Sequence, residues 1–117
     1  MLWKDRENFL RLERGIRGKH QVAFTGCLAN EEILIGRGYL AVAGADSTPC
    51  IFLRLERRGH RVDALCSEDG VNWFTVGHVG FLIEGAIKVG LHTIGYINRL
   101  VYRGAYPGGT AIRFESF

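Results

Sequence analysis

The residues with the most chemical potential in this chain are arginines and glutamates set two apart. Arg11-Leu12-Glu13 and Arg54-Leu55-Glu56 each sit inside the same hexapeptide, Phe-Leu-Arg-Leu-Glu-Arg, written once at 9–14 and again at 52–57. On an extended backbone this spacing places both charges on one face. A guanidinium beside a carboxylate offers planar donors and acceptors to a polar ligand. Lys88 and His92 bring a third polar segment, and the glycine-bounded loop GYINRLVYRGAYPGG carries Tyr96, Tyr102 and Tyr106. A small-ligand site needs an aromatic platform or apolar wall and a few well-placed polar groups. The candidate ligand-binding residues are therefore Arg11, Glu13, Arg54, Glu56, His92, Tyr96, Tyr102 and Tyr106, with Lys88 beside them. The plainer alternative is that the charges solvate a sheet face and the tyrosines pack their loop onto the body of the protein.

Other chemistries find less support. Glycoside hydrolysis requires two carboxylates roughly 5–9 Å apart across the scissile bond. No strand carries an alternating run of acids, Glu31-Glu32 falls in an expected turn, and Glu13 and Glu56 each lie two residues from an arginine that favours the ionised form. Asp69 and Glu68 make one acidic pair, short of the six to eight oxygens calcium takes. The four histidines, His20, His60, His78 and His92, show no metal-type grouping. The sequence suggests no nucleophile–histidine pair from spacing, no phosphate loop and no dinucleotide fingerprint. No catalytic residue, metal or cofactor is assigned.

Those side chains must be positioned by strands. Leu10 and Leu12 alternate with Phe9, Arg11 and Glu13, and the second copy splits in the same way. Good helix formers at 5–14 allow a local helix. The second copy argues against one, because it follows Pro49 and runs through Arg58-Gly59 straight into His60–Cys66, two strands around a tight turn. Equivalent letters suggest equivalent environments: two strands of one sheet, leucines on the core, charges on the far side. As neighbours, Arg11 and Glu56 would pair across strands for about 0.2–1 kcal/mol. Alternation or short apolar runs recur at 20–25, 33–36, 39–43, 72–77, 87–94 and 111–117. Eight or nine such segments with frequent turns predict an all-β antiparallel sandwich. Trp73, just after the Asp69-Gly70 turn, is expected to cap its core.

At 117 residues the chain makes one domain, and its 16 glycines suit a protein with many tight turns. Net charge is +3 without a basic run longer than Arg57-Arg58, which gives no footprint for nucleic acid. The three cysteines, Cys27, Cys50 and Cys66, lack metal spacing and read as small buried residues of a reducing compartment. No stretch approaches 18 apolar residues, and the first residues lack a signal-peptide core. The expectation is a cytoplasmic protein, or a piece of a longer secreted one, without a membrane partner.

Three segments in order carry a family resemblance: Leu2–Leu12; Leu53–Gly59 running into Ser67-Glu68-Asp69-Gly70-Val71-Asn72-Trp73; and Val89-Gly90-Leu91 followed by Ile112-Arg113-Phe114. Together they resemble the concanavalin A-like lectin and glucanase superfamily, nearest to the uncharacterised bacterial family related to the regulation-of-enolase protein. The resemblance implies a jelly roll and, through its lectin members, carbohydrate binding without catalysis. It also implies further strands ahead of Leu2, so the domain reads as truncated on its N-terminal side. An edge left open in this way would pair with another copy, predicting a homo-oligomer. A protein–protein interaction module within a larger bacterial protein is the second reading, and a glycoside hydrolase the third.

Overall fold

Period-two alternation does become strand. The computed structural model describes residues 1–15, 20–40, 50–92 and 114. Eight strands follow in order: β1 Leu2–Asp5, β2 Asn8–Arg14, β3 Gln21–Leu28, β4 Glu31–Tyr39, β5 Phe52–Arg58, β6 Arg61–Ser67, β7 Phe74–Gly80 and β8 Lys88–Val89. They form two antiparallel sheets, β4-β3-β2-β1-β8 and β5-β6-β7. The expected all-β sandwich is what the chain adopts, and no helix occurs among the described residues. The expected closing strand at 111–117 (Phe114 apart), the apolar run at 41–43 and the loop at 95–109 lie outside the described residues.

The core is made where alternating apolar residues of the two sheets face each other. Leu10, Leu12, Val22 and Phe24 from the larger sheet meet Val62, Ala64, Cys66 and Val76 from the smaller one, and all are buried. Phe81 and Ile83, just after β7, are buried in the same cluster. Their segment is tied to the β5–β6 turn. The Phe81 amide donates to the His60 carbonyl at 2.6 Å, and the Ile83 amide donates to His60 Nδ1 at 3.3 Å.

The two hexapeptides are not neighbours in one sheet, as their letters suggested. One is β2, inside the five-stranded sheet, and the other is β5, at one side of the three-stranded sheet. Leu10 is fully buried whereas Leu53, its counterpart, is 40% exposed. The cross-strand pairing of Arg11 with Glu56 is therefore ruled out by topology. β2 instead pairs with β1 and β3, and β5 with β6.

Turn chemistry explains the hairpins. Arg58 pairs with Arg61 around Gly59, which takes φ 61°, a conformation that costs glycine nothing. The β3–β4 connection uses Ala29 and Asn30 at φ 50° and 65°, the two positive angles of the tight hairpin turn whose twist matches the strands. Glu31 and Glu32 consequently begin β4 rather than forming the turn. That strand also continues through Gly36 and Gly38, where two separate apolar runs were expected. At Gly36 the sheets meet backbone to backbone, since a Cβ there would run into the Val76 carbonyl oxygen.

Candidate functional site

The outer face of the five-stranded sheet carries the polar set. Its register aligns Arg11 with Thr25 and Leu34, and Glu13 with Ala23 and Arg37; Gln21 faces Tyr39, and Cys27 faces Glu32. Short side chains on β3 thus form a floor between longer ones on β2 and β4. The result is a groove of about 230 Å³ lined by Arg11, Gln21, Thr25, Glu32, Leu34 and Arg37. That is below the ~300 Å³ typical of pockets for drug-sized ligands.

A bulge makes this face possible. Phe24 faces Gly36 while its neighbour Thr25 faces Leu34, leaving Ile35 as the extra residue. Glu32 and Leu34 have even numbers and Arg37 and Tyr39 odd ones, so regular alternation would put them on opposite faces. The inserted residue brings all four to the same side. Tyr39 is 72% exposed there, and its hydroxyl lies 3.5 Å from Gln21 Nε2.

Beside the groove, β1 and β2 hold a stack. The rings of Trp3 and Phe9 lie 5.3 Å apart and nearly parallel, and the Arg11 guanidinium sits 5.2 Å from the centre of the Phe9 ring. Such a stack restrains a side chain that would otherwise be mobile. Arg11 Nε is buried with no hydrogen-bond partner, and its nearest carboxylate oxygen, Glu13 Oε2, is 3.9 Å away. Glu13 itself is only 8% exposed. It accepts from Thr25 Oγ1 at 3.3 Å, and its other oxygen lies 2.6 Å from His92 Nε2. With an ionised carboxylate as partner, the ring donates its Nε2–H.

Of the residues expected from sequence, Arg11, Glu13 and His92 come together here. Lys88, opposite Trp3, lies at the margin of the same face. Arg54 and Glu56 do not join them. They occupy the outer face of the other sheet, on the far side of the sandwich, where Glu56 accepts from both Arg54 and Arg58. Tyr96, Tyr102 and Tyr106 lie outside the described residues. Trp73 is no core cap. It is half-buried on that second outer face, with the Arg54 guanidinium 4.2 Å from its ring centre and the Phe52 ring edge-on at 6.5 Å. The groove residues Gln21, Thr25, Glu32, Leu34 and Arg37 were missed, as was Tyr39 beyond its end. Alternation on β3 signals Gln21 and Thr25, whereas nothing local in the sequence marks the bulge.

The turn behind Trp73 is held by one carboxylate. Asp69 accepts from the Ser67 hydroxyl and from the amides of Val71 and Asn72 at 2.7–2.9 Å, and from Asn72 Nδ2 at 2.7 Å. The Asn72 and Val71 amides foremost, then the side chains, hold its pKa well below the usual carboxylate range. This is the structural meaning of the Ser-x-Asp-Gly-x-x-Trp spacing. Cys66 is buried against the core, and burial with the nearby Glu68 pushes its thiol up to about 11, leaving it a packing residue and not a nucleophile. Among the described residues no cluster of three His, Cys, Asp or Glu suits a metal, and no helix is long and apolar enough to cross a membrane. Comparison with known proteins finds no matching family model, no matching curated protein and no matching solved structure.

Proposed function

We propose that this domain is a non-catalytic, lectin-like module that binds carbohydrate in the groove on the outer face of the five-stranded sheet. The observation that carries the reading is the floor of Ala23 and Thr25 between Arg11 and Arg37, with exposed Tyr39 at the end of the same face. A flat ring with an accessible face stacks on a pyranose, while fixed guanidinium and amide groups meet its hydroxyls. In this reading the sandwich is a concanavalin A-like jelly roll, as the resemblance of its hairpins implies.

Hydrolysis is less well supported. Glu13 and Glu32 are two strands and four register positions apart, about 16 Å from strand spacings of ~4.8 Å and ~3.3 Å per residue. That exceeds the roughly 5–9.5 Å between glycosidase carboxylates.

A second reading, a protein–protein or oligomerisation module, is favoured by the other sheet. Phe52 is 42% exposed and packs edge-on to the half-buried Trp73, and Val71, two residues before it, is 78% exposed. A glycan array with the parent protein and with Arg37→Ala and Tyr39→Ala separates the two. Binding that both variants lose supports the groove. Silence on the array, with a light-scattering mass above that of one chain, favours the interaction module. Release of sugar from a dye-linked polysaccharide would favour hydrolysis.

A further inference from the structure

The groove is not neutral, and its charges bear on which carbohydrate it takes; this inference rests on the binding reading above. Two arginines line it, Arg11 and Arg37. They stand on opposite sides of the β3 floor, one at the Thr25 level and the other at the Ala23 level. The register puts their Cα atoms about 12 Å apart, close enough for two long side chains to converge on one group between them. The carboxylates nearby are unequally available. Glu13 is already engaged by Thr25 and His92, while Glu32 sits at the far end, level with Cys27. Arg11 is held by the Phe9 ring with its Nε closed off from solvent, so only the outer end of its guanidinium is open to a ligand.

A carboxylate is the ligand group that suits two arginines best, because its bond to a guanidinium is charge-assisted and its two oxygens match the guanidinium edge. We propose that the groove is specific for an acidic glycan, with the carboxylate of a uronic acid held between Arg11 and Arg37 and its ring over the Ala23–Thr25 floor toward Tyr39. Thr25, whose hydroxyl proton goes to Glu13, keeps lone pairs to accept from one of the sugar's hydroxyls.

Isothermal titration with polygalacturonate, with its fully methyl-esterified form and with a neutral β-glucan tests this. Arg37→Gln is the primary variant, because Arg37 is exposed and its replacement leaves the core alone. Arg11→Gln is the second. Arg58→Gln, 77% exposed on the opposite sheet, controls for general attraction of a polyanion to a +3 protein. The expected result is binding of polygalacturonate that weakens at least about tenfold in Arg37→Gln and on esterification, and is unchanged in Arg58→Gln. Equal loss in Arg58→Gln, or an affinity indifferent to Arg37→Gln, overturns the proposal. Binding of the neutral glucan alone, abolished by Tyr39→Ala, overturns it too while leaving carbohydrate binding intact. Silence toward all three polymers overturns this inference and removes the support for the reading beneath it.

Discussion

Nε2 of His92 lies 2.6 Å from Oε1 of Glu13, joining residues 79 apart in sequence. The contact ties the segment following β8 to β2, two strands away in the same sheet. It also leaves Glu13 almost no water, since the carboxylate is 8% exposed. Removing the imidazole takes one of its hydrogen-bond partners from a buried carboxylate, so His92→Ala is expected to cost about 1–3 kcal/mol. Urea denaturation measures it. Glu13→Gln, which keeps an acceptor for Thr25, is expected to cost less than Glu13→Ala.

The twin hexapeptides give a matched pair of leucines. Leu10→Ala opens a hole in the packed centre and should cost about 2–5 kcal/mol. Leu53→Ala, at the same place in the second copy, trims a side chain that is 40% exposed and should cost about 1 kcal/mol or less. Equal losses in chemical denaturation would contradict the placement of the two strands.

Gly36 is where the sheets touch. A methyl group there meets the Val76 carbonyl, which belongs to a strand and cannot swing aside. Gly36→Ala is therefore expected to destabilise by about 1–3 kcal/mol or more, the range for overpacking. Gly80→Ala, with open space around its Cα, serves as the comparison in a thermal melt.

The β3–β4 turn stores a small strain. Ala29 holds φ at 50°, which an L-residue with a Cβ adopts reluctantly. Ala29→Gly removes the clash but loosens the unfolded chain. The net expectation is a gain of about 0.5–1 kcal/mol, read as a higher melting temperature.

Acid should act on the Asp69 turn. Its folded pKa lies below the ordinary 3.8, so its contribution is complete above that value and is lost as pH falls toward the folded one. The stability difference between the parent and Asp69→Asn is expected to stay constant from pH 7 to about 5 and to shrink below about 4. Urea midpoints across that range test the sign.

Of the residues that line the groove, only Arg11 was legible from spacing. Arg11 and Glu13 share a face because extended backbone turns alternate side chains the same way, and His92 falls on the polar side of its own segment. The β4 side of the groove depends on Ile35. One extra residue reverses the parity of β4 and puts Glu32 and Leu34 beside Arg37 and Tyr39. No local letter announces it, because a bulge is settled by which partner residues it must oppose. Trp73 was misread for a related reason: its place under Arg54 depends on how β5 lies beside β6 and β7.

What the letters alone determined is the strand habit, its hairpin turns at Gly59 and Asp69-Gly70, and the inward facing of Leu10 and Leu12. Those follow from sterics within a few residues. Tertiary structure decided the rest. It sent two identical hexapeptides to different sheets, buried Glu13 at 8% while leaving Glu56 at 34%, and set Arg37 on the far side of β3 from Arg11, two residues along. Alternation says that a strand has two faces; only contact with distant segments says what covers each.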